Sequence, residues 1–227
     1  MNGEVLVKIV GFVAFMFSII VHEDAHGVVA ERLGDTTARD AGRITLNPLP
    51  HIDPIGSVIF PLLAMVSGLP MFGWARPVPV NTLNLRRPIR DHAIVAAAGP
   101  ASNFLLAFAT VLLWVAVRLI FKHAPALYET AGPTLAFVDT LCRSLIAINC
   151  ILAVFNLLPI PPLDGHWIAM RFLPDGARIA LASVGRFGFL ILLVLIWTGA
   201  LWWIIGPAYR MTVSGYYAMV RIALQAL

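Results

Sequence analysis

The sequence predicts an all-α polytopic membrane protein: a bundle of about four to six membrane helices with a re-entrant segment and short membrane-associated β-strands. Three observations lead there. Of 227 residues, 59% are hydrophobic and only 12% charged, with a mean hydropathy of +0.85, whereas a soluble domain carries about 25% charged residues. Several apolar runs reach the roughly 20 residues that cross a bilayer. Stretches rich in Pro, Gly and Arg separate those runs. The net charge of +4 is small and the basic residues sit in loops, so they read as topology signals and no nucleic-acid face is expected.

The first run, residues 5–30, reads as a retained membrane helix. It has no positive n-region, and no small-residue cleavage site ends it. Toward its end stand His22-Glu23-Asp24-Ala25-His26. Histidines at i and i+4 share one helix face and supply two of the three protein ligands of a catalytic zinc. Glu23, beside the first, is placed to take a proton from an activated water. Acids and histidines inside an apolar segment are costly without a function. The plainer reading is a solvent-facing helix end.

Residues 34–54 are loop-like, with Arg43-Ile44-Thr45-Leu46 compatible with a strand. Residues 55–70 are apolar but short, with Pro61 inside and Pro70 at the end. The polar stretch 73–92 follows, in which Trp74 to Val80 reads as extended because Pro77 and Pro79 do not suit a helix. Further spans are expected at 93–121, 136–158 and 187–205, with a loop at 122–135, a mixed segment at 165–186, a break at Gly206-Pro207 and an interfacial tail at 208–227. Cys142 and Cys150 lie eight residues apart, about 12 Å along a helix, too far for a disulfide; they read as packing residues.

Charge bias fixes a topology. If 55–70 crosses, the loop with Arg32, Arg39 and Arg43 and the loop with Arg76, Arg86, Arg87 and Arg90 fall on opposite faces, against the positive-inside rule. If it dips and returns, both lie in the cytoplasm and the segment with Arg171, Arg178 and Arg186 joins them. His22 and His26 then stand near the same membrane face as Asp164, and the groups can meet.

A third ligand is required. Candidates at membrane depth are Asp164, His51, Asp53, His166 and His92. Asp164 follows the proline-broken run Pro159-Ile160-Pro161-Pro162, and broken backbone at that depth lines cavities; it is equally a good helix N-cap. Asp53 suits an Asx turn. His51 reads as either a gate for water or substrate or a loop residue, and His166 as a residue behind the ligands.

Three blocks carry a resemblance: His22-Glu23-Asp24-Ala25-His26; Gly42 to Pro54, with Asn47-Pro48, His51 and Asp53-Pro54; and Asn156 to Gly165, with Pro159, Pro161 and Asp164-Gly165. Gly99-Pro100-Ala101-Ser102-Asn103 and Phe72 to Val80 also match. Over residues 15–170 the chain resembles the site-2 protease family of intramembrane zinc metalloproteases, in its compact prokaryotic form without a PDZ domain. The resemblance implies that His22, His26 and Asp164 bind one zinc ion per chain and that Glu23 is the general base. It further implies that Asn156 holds the substrate backbone, with His51 as a possible accessory residue. Asn156 also reads as a helix-capping or interhelical group. The implied partners are transmembrane substrates, membrane lipid and an upstream site-1-type protease. The whole of 1–227 then forms one metalloprotease domain: a core of about 5–170, an added span at 187–205 and a tail at 206–227. The implied location is a prokaryotic inner membrane, with the site toward the cytoplasm. A zinc-binding scaffold without activity and a metal transporter are the rivals. An intact Glu23 speaks against the first, and the lack of internal repeats against the second.

Overall fold

The computed structural model describes residues 3–67 and 73–226. Among them the chain forms helices α1 (Gly3–Arg32), α2 (Thr37–Asp40), α3 (Phe60–Ser67), α4 (Pro88–His123), α5 (Pro125–Asn156), α6 (Asp164–Met170), α7 (Asp175–Val184), α8 (Gly188–Trp197) and α9 (Ala200–Ala226). Four helical stretches of the described residues are long and apolar enough to cross a membrane: Leu6–Arg32, Pro88–His123, Thr130–Asn156 and Asp175–Trp197. The protein is a multi-pass, all-α membrane protein.

The fold is set by two matching stripes. Along α1 the residues Val10, Ala14, Ser18, His22, His26 and Ala30 are buried, each four after the last. Along α4 the same beat buries Asp91, Val95, Gly99, Asn103, Ala107 and Val111. Such rows are the i±4n ridges by which helices pack. The two ridges face each other in antiparallel sense, with His26 against Val95 and His22 against Asn103. Helix α5 closes the seam, where Asn149 reaches both Ser18 and Asn103. Further along, Ala107, Val111 and Trp114 of α4 pack on Cys142, Ile146 and Cys150 of α5. Both cysteines are free, buried packing residues, as their spacing indicates.

Between α1 and α4 the chain is irregular but well tied. Asp35, buried at the end of α1, accepts from the backbone N–H groups of Thr37 and Asn81 and from the Asn84 amide. Asp53 accepts from the N–H groups of Ile55 and Gly56 and starts a π-helical turn, Pro54–Ile59, so the Asx reading of this residue is correct. The turn runs into α3, and the two together are too short to span about 30 Å of hydrocarbon. The N–H of Trp74 donates to Gly56 O at 3.2 Å. Residues 68–70 of the expected 55–70 dip, and Phe72 of the matching block, lie outside the described residues.

The strands expected at 43–46 and 74–80 do not form among the described residues. Residues 73–81 are extended, but Pro77 and Pro79 remove the N–H from two neighbouring positions of one edge, where a ladder would need them. The other edge is already used. The N–H of Trp74 donates to Gly56 O, that of Arg76 to His51 O, and that of Val78 to Glu23.

Three boundaries also differ from expectation. The 122–135 loop is largely helical, because Pro125 starts α5 at a position where proline needs no N–H donor, and the irregularity is confined to Ala124 between α4 and α5 and a kink at Ala131. The span expected at 187–205 ends at Trp197. Gly199 takes a left-handed φ of 74° and stops α8 there. The expected break at Gly206-Pro207 does not occur, and α9 runs through Pro207. The tail is accordingly no separate segment: Tyr209, Val213, Tyr217 and Leu224 pack on the α4–α5 core, and Tyr216 donates to Phe104 O at 2.9 Å.

Candidate metal centre

His22 and His26 face the bundle interior because they occupy the buried ridge of α1. Asp164 arrives from the far end of the chain. It is the first residue of α6, preceded by Leu163 as the cap, and makes no capping bond with its side chain; the capping reading therefore does not hold. What brings it in is the close seating of its neighbour: a Cβ on Gly165 would lie 2.3 Å from the carbonyl oxygens of Leu157 and Leu158. Only glycine lets the start of α6 rest on the end of α5.

The result is a cluster of three. The Nε2 atoms of His22 and His26 are 3.0 Å apart. Asp164 Oδ2 lies 3.1 Å from the first and Oδ1 lies 3.4 Å from the second. Three ligands at about 2.0–2.1 Å around a tetrahedral ion stand about 3.3 Å from one another, so the spacing fits zinc. The donor chemistry agrees. Nδ1 of His22 lies 2.7 Å from Asn103 Oδ1, and Nδ1 of His26 lies 2.7 Å from Val95 O. Carbonyl oxygens only accept, so both ring protons reside on Nδ1 and both Nε2 atoms present lone pairs. Two lone pairs and a carboxylate converge, and the buried Oδ2 of Asp164 has no hydrogen-bond partner. A cation answers that arrangement. The pocket is also closed on one side by backbone, since a Cβ on Gly99 would come within 2.5 Å of both imidazoles.

Glu23 points to the other wall. Its Oε2 accepts the N–H of Val78 at 2.7 Å, and it lies within electrostatic range of His26. The extended segment that carries Val78 is clamped by Arg43, whose guanidinium donates to the carbonyls of Arg76 at 2.6 Å and Pro77 at 3.2 Å. His51, fully buried, braces the same segment: its ring nitrogen Nε2 meets Thr45 O at 2.9 Å, and its own carbonyl accepts from Arg76. His51 and Asp53 are thus not in the cluster. Nor are His92 and His166, whose ring centroids lie 4.0 and 4.4 Å from that of Trp167. Asn156 ends α5 and donates to Leu152 O at 3.0 Å.

Sequence reasoning passed over Ser18 and Asn149, and gave Asn103 no role. All three are fully buried polar residues inside apolar helices, and that cost alone marks such positions for attention.

Comparison with known proteins bears on this site. The profile described as "Peptidase family M50" matches residues 119–196. The chain is 38% identical over 183 residues to "Putative zinc metalloprotease YwhC" of Bacillus subtilis, covering 81% of this chain and 78% of that protein. It is 33% identical over 188 residues to "Putative zinc metalloprotease Rip2" of Mycolicibacterium smegmatis, covering 82% and 66%. To the Mycobacterium tuberculosis H37Rv protein of the same name it is 30% identical over 213 residues, covering 88% and 76%. No solved structure matches.

Proposed function

Because the chain belongs to peptidase family M50, the site-2 protease family, we propose that it is an intramembrane zinc endopeptidase that cuts membrane proteins within or near their transmembrane segments. The observation that carries this is the buried His22–His26–Asp164 cluster with Glu23 beside it. These three residues hold one zinc ion per chain, and zinc, when bound, acts as a Lewis acid that activates water and polarises the scissile carbonyl. Glu23 takes the proton and returns it to the leaving amine. The N–H of Val78 orients its carboxylate for that exchange. Asn156, at the mouth of the proline-broken turn, holds the unwound substrate backbone. His51 serves as an accessory by bracing the strap that touches the base.

The short helical dip, whose return at Trp74 is bonded to Gly56, supports a re-entrant segment. With it the arginine-rich loops lie together on the cytoplasmic face of a prokaryotic inner membrane, and the site opens toward that face. A groove of about 590 Å³ between α1 and the dip, lined by Phe12, Met16, Ile20, Ile52 and Val58, offers an apolar surface for the stem of a substrate. The whole of 1–227 acts as one domain, on transmembrane substrates and in contact with membrane lipid, after a first cut by a site-1-type protease.

Purified wild type and Glu23→Gln are compared on a tagged transmembrane substrate, with bound zinc quantified in both. Glutamine keeps the shape but cannot take the proton, so cleavage falls by about 10²- to 10⁴-fold with zinc retained. Equal cleavage by both proteins removes Glu23 from the mechanism.

A further inference from the structure

We propose that Asn149 and Ser18 act through Asn103 as a positioning relay that decides which ring nitrogen of His22 faces the metal. The inference rests on the reading of His22 as a ligand.

The direction of the relay follows from counting donors. Ser18 has one hydroxyl hydrogen, and it goes to Ala14 O at 2.7 Å, which can only accept. Ser18 Oγ must therefore accept from its other neighbour, Asn149 Nδ2, at 2.8 Å. The second Nδ2 hydrogen of Asn149 goes to Leu145 O at 2.8 Å. That leaves Oδ1 of Asn149 turned to Asn103, whose Nδ2 donates to it at 2.8 Å and to Ser18 O at 3.3 Å. Oδ1 of Asn103 is then the atom facing His22, 2.7 Å from Nδ1. Nδ1 must carry the proton, and Nε2 is left with its lone pair toward His26 and Asp164. Each amide has a single allowed orientation, because three backbone carbonyls, those of Ala14, Leu145 and Ser18, anchor the chain and Ser18, Asn103 and Asn149 are all 0% exposed; no water supplies an alternative. Helices α1, α4 and α5 each contribute a member, so the polarity of helix backbone on α1 and α5 is passed to an imidazole. His26 needs no such relay, since Val95 O fixes its ring directly.

The test measures zinc affinity by chelator competition and thermal stability on the full chain. Asn149→Leu removes the nearer of the two acceptors that hold Asn103 and leaves only Ser18 O at 3.3 Å, so the Asn103 amide, and with it the His22 tautomer, is held less firmly. Zinc affinity is expected to fall about tenfold, the lower end for residues behind a ligand. Asn149→Asp still presents an acceptor to Asn103, whether ionised or protonated, and keeps zinc affinity near wild type. A buried acid in an apolar helix costs more stability than leucine does, so thermal stability orders the two variants the other way. A packing role alone would give one order in both measurements. Asn149→Leu binding zinc as tightly as wild type, or Asn149→Asp losing more affinity than Asn149→Leu, overturns the relay. Wild type that takes up no zinc overturns the metal reading itself, and is seen before any variant is compared.

Discussion

The two walls of the site are built in opposite ways. The wall that carries the proposed ligands is made of helices: α1 and α4 bring paired ridges together, α5 locks them with buried amides, and α6 sets Asp164 on the end of α5. The wall that touches the base is extended chain without regular structure, held at a few points by Arg43, His51, Asp35 and Glu23 itself. A metal site demands ligands within fractions of an ångström, and packed helices deliver that. On the proposed function a peptide substrate has to enter, and backbone held by single hydrogen bonds opens at far lower cost than a packed seam. Rigidity and access are thus divided between the walls.

Substitutions separate them. The largest effect is expected at Gly99, where α4 touches both imidazoles. Gly99→Ala forces a methyl into space 2.5 Å from His22 and His26; zinc affinity should drop by about 100-fold, the upper end for changes around ligands, and overpacking should cost about 1–3 kcal/mol of stability. Chelator competition and thermal unfolding read both. On the other wall, Arg43→Met frees the carbonyls of Arg76 and Pro77. Bonds to a charged group contribute about 1.5–3 kcal/mol, so the strap loosens. Cleavage should fall by about tenfold, corresponding to roughly 1.4 kcal/mol, while zinc binding stays unchanged. An Arg43→Met protein that loses zinc would show the walls to be one unit. The smallest effect concerns acid. Burial works against the Asp35 carboxylate, but the Thr37 hydroxyl, the Asn84 amide and the N–H groups of Asn81 and Thr37 hold its pKa below the ordinary value. A lowered folded-state pKa contributes stability that is present above about pH 4, the unfolded value, and is lost as pH falls through the folded one. Asp35→Asn should therefore flatten the acid limb of a stability–pH curve below about pH 4 and leave zinc affinity at neutral pH untouched.

What the sequence disclosed follows the same division. The spans and the His22–Glu23–His26 face were legible because helical periodicity is local: four residues suffice to place one side chain over another. Asp164 was one of five candidates from spacing alone, since nothing local says that Gly165 seats on the α5 carbonyls. The strap was read as a strand because extended conformation and ladder pairing are separate properties. Proline fixes the first and forbids the second, and the partners of Val78 and Asn81 are side chains far along the chain. The stop at Gly199 was missed because Gly206-Pro207 is the stronger local signal, yet α9 keeps its helix there, with Ile205 and Gly206 buried beside the proline. Asn149 gave the plainest unused hint: an amide alone in the run Ile146-Ala147-Ile148-Asn149-Cys150.

The four-residue beat of α1 makes this centre a matter of phase. Each residue turns a helix by about 100°, so a single insertion between Ala14 and Ser18 would rotate Val10 and Ala14 out of step with His22, His26 and Ala30. One half of the ridge would then have to face lipid. The His-Glu-x-x-His letters would be unaltered and the pocket gone. A match to those five letters therefore means little until the apolar residues upstream are counted in fours.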